Sequence, residues 1–227
     1  MEAEMTMICV DTSITDLCRF HDQIHAVKIY CERKLKAHPD NLVGIVRFGQ
    51  LDLGTCGLYP SHSLAIVTSK LRTLKPLEQE YTDLLEGFKL SRRGWFHKED
   101  MKTRIVVFSG GPLLFTKDQL PEALAFLKEG RVVLDVVDFG TRVKDEEDCK
   151  AKNLKALVDA MNHNNNENED SRYFLFEDAG FSSILPPLVA EEEARIIRRK
   201  AKIPRCAWFK HDYNYNIVRE EAASGWC

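Results

Sequence analysis

The stretch MTMICVDTSIT, residues 5–15, decides how the chain is read. Residues 5–10 are apolar apart from Thr6, a run of strand length that suits a strand covered on both faces. It ends in Asp11-Thr12-Ser13-Ile14-Thr15, an acid followed by hydroxyls at alternate positions. A D-x-S-x-T ending has two chemistries open to it. It can be the first corner of a divalent metal site, where a carboxylate and hydroxyls converge past a strand. It can also be a strand end that turns and caps the next helix.

Similar apolar runs recur at LVGIVRF (42–48), TRIVVF (103–108), VVLDVVDF (132–139) and YFLF (173–176). Between them, apolar residues fall at helical spacing: Ile24, Val27, Cys31 and Leu35; Leu64, Val67, Leu71 and Leu74; Leu120, Leu124 and Leu127; Leu154, Leu157, Val158 and Met161. YTDLLEGFKLS adds a further short helix, and LGTCGLYP (53–60) reads as an antiparallel edge strand with its turn. Strands alternating with helices predict an α/β domain, a doubly wound and mostly parallel sheet with helices on both faces. The domain is expected over residues 1–190. Residues 191–227 form a short C-terminal extension, a charged helix around EEEARIIRRKAK stopped by Pro204 and followed by an aromatic tail. The polar stretch NHNNNENED (162–170) reads as a mobile excursion before the last strand.

With 227 residues, 44% hydrophobic and 30% charged, the chain can bury a core without staples. A net charge of −3 gives no global bias toward nucleic acid or anionic membranes, and neither partner is expected. No apolar run approaches the roughly 20 residues of a membrane span, and MEAEMT lacks the basic start of a secretory signal. A cytoplasmic and nuclear location is expected. The seven cysteines have no C-x-x-C pair and read mostly as reduced, buried apolar groups.

In an open α/β sheet, ligands bind beyond the carboxyl ends of the strands, where Asp11, Ser13 and Thr15 stand. A hard cation would need more oxygen ligands from neighbouring loops. Thr82 is the candidate hydroxyl. The second carboxylate should follow TRIVVF, but Ser109-Gly110-Gly111-Pro112 comes instead. Half a site remains, so no metal and no cofactor is expected. Asp11, Ser13, Thr15 and Thr82 become a degenerate corner and a candidate docking loop. A charge reversal at Asp11 is expected to weaken docking while sparing the fold.

MICVDTS, HPDNLVGI, SKL, TRIVVFSGGP and LDVVDFG, in this order and at compatible separations, resemble the von Willebrand factor A-type domain of the ubiquitin receptors of the 26S proteasome regulatory particle. The resemblance covers roughly residues 3–190. A strand ending D-x-S is common to A-type domains, whereas PDNLVGI followed by F-x-G-x-P and VDFG is narrower. The resemblance implies a degenerate metal corner and a non-catalytic docking module between the lid and base of that particle. The implied partners are lid and base subunits, with ubiquitin or ubiquitylated substrates as a further class. One departure stands out. A ubiquitin-interacting helix wants an acidic run, a large apolar residue, an Ala three later and a Ser beyond. Here Glu191-Glu192-Glu193 leads into ARIIRRKAK, with neither.

Other constellations are weaker. Cys18, His21 and His25 share helical spacing that resembles half a zinc site, with no fourth ligand evident. The basic cluster from Arg195 to Arg205 fits a solvated face or an acidic partner better than nucleic acid. The SGGP segment lacks the signatures of a phosphate loop, and no nucleophilic constellation can be assembled. Trp208, Phe209, Tyr213, Tyr215 and Trp226 in the tail are candidate partner contacts. The alternative function is an A-type subunit of the general transcription and DNA-repair factor. That alternative would want zinc-binding C-x-x-C modules, and the tail has only Cys206 and Cys227.

Overall fold

In the computed structural model, which describes residues 3–48, 57–77, 82–95, 101–140, 147–163 and 171–177, the opening run forms strand β1 (Glu4–Asp11). Helix α1 (Leu17–Ala37) starts at Asp16, whose carboxylate accepts the Cys18 and Arg19 N–H groups at 2.9 and 3.2 Å. Extended His38, just before Pro39, ends it. There follow β2 (Leu42–Phe48), β3 (Gly57–Ser61), α2 (Leu64–Thr73), β4 (Thr82–Asp83), α3 (Leu84–Trp95) and β5 (Lys102–Ser109). After β6 (Leu113–Leu114) and a 3-10 turn come α4 (Leu120–Glu129), β7 (Val132–Gly140), α5 (Glu147–Asn162) and β8 (Arg172–Glu177).

Among the described residues, six strands form one sheet in the order β3-β2-β1-β5-β7-β8. Only β3 runs antiparallel, on the edge beside β2, which bears out the edge strand read from LGTCGLYP. Alternate residues feed two cores. Ile8, Val10, Val106, Phe108 and Val137 pack under α1 and α2 with Val27, Tyr30 and Val67. Met7, Cys9, Ile105, Val107, Leu134 and Val136 face α3, α4 and α5 through Phe88, Leu127 and Leu157. Burial on both faces is why the strands read as continuous apolar runs.

The α1 face also holds a charged cluster that those runs conceal. Glu4 Oε1 lies 2.7 Å from Lys34 Nζ and 2.8 Å from Arg104 Nε, and Arg104 Nη1 lies 3.0 Å from Asp135 Oδ2. Each of these side chains is only 2% exposed. Burial alone would pull the Arg104 pKa down, but Glu4 and Asp135 together hold it well above its ordinary value.

Cys9 and Cys31 are buried as expected, and burial pushes the Cys9 thiol up to about 12 against a hydrogen bond with Ser91. Cys18 departs from that expectation because it sits on the exposed first turn of α1. Asn162 belongs to α5 rather than to a mobile loop: its side chain donates to Ser171 O at 2.9 Å and accepts Ser171 N–H at 2.8 Å. Residues 164–170, the boundary at 190, the charged segment after it and the five tail aromatics lie outside the described residues.

Candidate functional site

The chain leaves β1 for β2 and β3 on one side and returns through β5 on the other, so strand order reverses between β1 and β5. At such a switch point the two strand-end loops part, and an open α/β sheet presents its site there. Asp11 ends β1, and Ser109-Gly110-Gly111-Pro112 follows from β5.

The Asp11 carboxylate is fully buried and fully occupied. Its Oδ1 accepts the Ser13 N–H at 2.9 Å and the Ser13 hydroxyl at 2.7 Å. Its Oδ2 accepts the Gly110 and Gly111 N–H groups at 3.0 and 2.8 Å. Four donors on two oxygens leave no good lone pair open. The Asp11 backbone is held as well, its carbonyl accepting from the buried Gln23 amide at 2.7 Å.

This approach of two amides to one carboxylate needs glycine. A Cβ on Gly110 would lie 2.6 Å from Phe139 Cε2 and 2.7 Å from Ile14 Cδ1, both in buried side chains. A Cβ on Gly111 would collide with the Ser13 hydroxyl that Asp11 holds. Gly110→Ala is therefore expected to destabilise the domain by about 1–3 kcal/mol through overpacking. Denaturant unfolding at neutral pH measures it, and an unchanged midpoint would mean that the loop is not clamped.

Lys150, on α5, grips the same loop from the other side. Its ammonium donates to Gly111 O at 3.0 Å and Ser109 O at 3.3 Å and lies 2.8 Å from Asp138 Oδ1. Asp138 Oδ2 accepts the Tyr173 hydroxyl at 2.8 Å. Nothing in the strand pattern drew attention to Lys150. The carboxylate of Asp138 inside an apolar run was the available signal, because a buried acid needs a partner.

Of the other predicted residues, Thr82 is buried and its hydroxyl donates to Pro112 O at 3.3 Å, so it braces the SGGP loop. Short strands β4 and β6 pair just there. Ser13 is buried on Asp11, and only Thr15 of the four is exposed. The expectation that Asp11 offers its charge to a partner is corrected accordingly: the carboxylate is 0% exposed and satisfied within the domain. Nor do these residues fit a divalent ion, which would need open oxygens on Asp11 and a second carboxylate where Ser109 stands. Among the described residues no three His, Cys, Asp or Glu side chains are grouped to hold a metal, Cys18, His21 and His25 included.

No protein-family profile matches the chain. Over 170 residues, 71% of this chain and 40% of the relative, it is 28% identical to the 26S proteasome non-ATPase regulatory subunit 4 homolog of Oryza sativa subsp. japonica. Over 172 residues, 72% of this chain and 43% of the relative, it is 28% identical to the protein of the same name from Arabidopsis thaliana. Among solved structures, the crystal structure of the SpRpn10 VWA domain matches with a TM-score of 0.62 at 19% identity, covering 84% of this chain and 94% of that one. The chain is homologous to these proteasome subunits and has the von Willebrand factor A-type fold. It spans less than half the length of the two curated relatives. They favour the proteasome resemblance over the transcription and DNA-repair alternative. In this A-type domain, then, the strand-end corner is closed by the chain's own groups. No helix among the described residues is long and apolar enough to cross a membrane.

Proposed function

We propose that the chain is a non-catalytic subunit of the 26S proteasome regulatory particle, docking between lid and base and supporting ubiquitin-dependent degradation in cytoplasm and nucleus. The observation that carries this is the likeness, over 71% and 72% of the chain, to relatives named as non-ATPase regulatory subunits of that particle. The closed corner supports a docking role, because Asp11 has no free lone pair for a ligand or a metal. The docking face is the pair of loops beyond β1 and β5, where Thr15 is exposed and Leu17 and Leu114 are 58% and 40% exposed. Residues 191–227 act as a second contact through Trp208, Phe209, Tyr213, Tyr215 and Trp226, without a conventional ubiquitin-interacting helix.

The test is native purification from cells expressing the tagged full chain. It is expected to co-migrate with the 26S particle, and migration free of it sinks the proposal. Leu114→Arg should reduce retention by about tenfold or more with an unchanged unfolding midpoint, as a charge forced into an interface does. Full retention of that variant moves the docking face elsewhere. Deleting residues 191–227 should weaken retention while the α/β domain still unfolds cooperatively. A sharply lowered midpoint would instead mean that the tail packs on its own domain.

A further inference from the structure

Lys150 sits in a geometry that salt-bridge language alone does not describe. The peptide joining Ser109 to Gly110 accepts from the Lys150 ammonium at its carbonyl, 3.3 Å away, and donates its N–H to Asp11 Oδ2 at 3.0 Å. Gly111 is held through two successive peptides instead, its carbonyl in the peptide to Pro112 lying 3.0 Å from Lys150 Nζ and its N–H in the peptide from Gly110 donating to Asp11 Oδ2 at 2.8 Å. A carboxylate at the N–H end and an ammonium at the C=O end polarise a peptide in the same sense, so each strengthens the other's bond. Asp138 Oδ1, at 2.8 Å, takes the third donor of the ammonium. Lys150 and Asp138 are 8% and 5% exposed, so water does little of this work.

We propose that Lys150 is the resident cation of this corner, its ammonium occupying an oxygen-lined site and holding the SGGP loop against Asp11 in place of a divalent ion. Three oxygens from three residues converge on one point, Ser109 O, Gly111 O and Asp138 Oδ1, all within 3.3 Å of Lys150 Nζ. Carboxylate and carbonyl oxygens are the donors that hard cations take. The corner therefore keeps the electrostatics of a metal site, with the positive charge delivered covalently from α5. Its loops are fixed whatever the surrounding ion concentration. A helical lysine also brings one charge instead of two, which matches the single carboxylate it touches. This inference does not depend on the proteasome assignment, and its test involves no partner.

The experiment compares the full chain with Lys150→Ala, which removes the ammonium and leaves the three oxygens, using Mn2+ as the probe. In the unaltered chain the Gly110 and Gly111 amide resonances should keep their intensity up to about 1 mM Mn2+. In Lys150→Ala both should broaden selectively below that concentration. The variant's thermal midpoint should rise by about 5 °C at Mn2+ a hundredfold above its dissociation constant. If Lys150→Ala folds only when Mn2+ is added, that also supports the proposal. Selective broadening in the unaltered chain overturns it, as does a folded Lys150→Ala indifferent to Mn2+, or one that Mn2+ cannot bring to fold.

Discussion

Arg104→Met is expected to lower the unfolding free energy by about 3–5 kcal/mol, because it removes a buried cation shared by two buried carboxylates rather than a single contact. Glu4 and Asp135 meet the guanidinium at 2.8 and 3.0 Å with side chains 2% exposed, and methionine fills the volume without supplying a charge. Lys34 remains beside Glu4 at 2.7 Å, so the variant keeps one cation in the cluster. Neutralising the two acids should then recover stability. Arg104→Met combined with Glu4→Gln and Asp135→Asn is expected to unfold at higher denaturant than Arg104→Met alone, a non-additivity that residues sharing one network display. Urea unfolding at neutral pH reads both. A loss below about 1 kcal/mol for the single variant would show that the cluster is reached by water and screened.

The same cluster shows where sequence pattern is a good guide and where it is not. Hydrophobic period placed β1, β2, β5, β7 and β8 and the five helices, because a two-sided parallel sheet needs unbroken apolar runs and its helices need one apolar stripe. The runs TRIVVF and VVLDVVDF are apolar in pattern although each carries charge, and the structure buries those charges, Arg104, Asp135 and Asp138. A charge inside a buried strand is itself a statement that a partner exists, but periodicity does not say which. Lys150 reaches its loop acceptors across 39 and 41 residues of chain, a pairing that only the folded topology defines. The corner at Asp11 is legible to the same extent. The missing carboxylate after Phe108 is visible in the sequence, whereas nothing there marks the glycines as bringing two amides onto Asp11. Strands β4 and β6, two residues each, are too short to carry any period.

Asp11→Arg is expected to cost more than about 4 kcal/mol of stability, at odds with the surface role that its position at a strand end suggests. The substitution removes the acceptor of four hydrogen bonds, leaving the N–H groups of Ser13, Gly110 and Gly111 and the Ser13 hydroxyl without it. Unmet donors at a buried site each cost about 1–3 kcal/mol. It also sets a guanidinium at a position that is 0% exposed, across one peptide from the Lys150 ammonium, where like charges repel with little screening. Denaturant unfolding should therefore show a lowered midpoint before any partner is involved, and a midpoint within about 0.5 kcal/mol of the parent would refute the clamp. The consequence reaches function. Loss of assembly in an Asp11→Arg chain cannot be assigned to a docking contact, because the same change loosens both loops that form the proposed face. Thr15→Arg separates the two effects, since Thr15 is exposed on the same loop. If docking depends on that loop's surface, Thr15→Arg loses retention at full stability; if it depends only on the loop's shape, Asp11→Arg alone loses it.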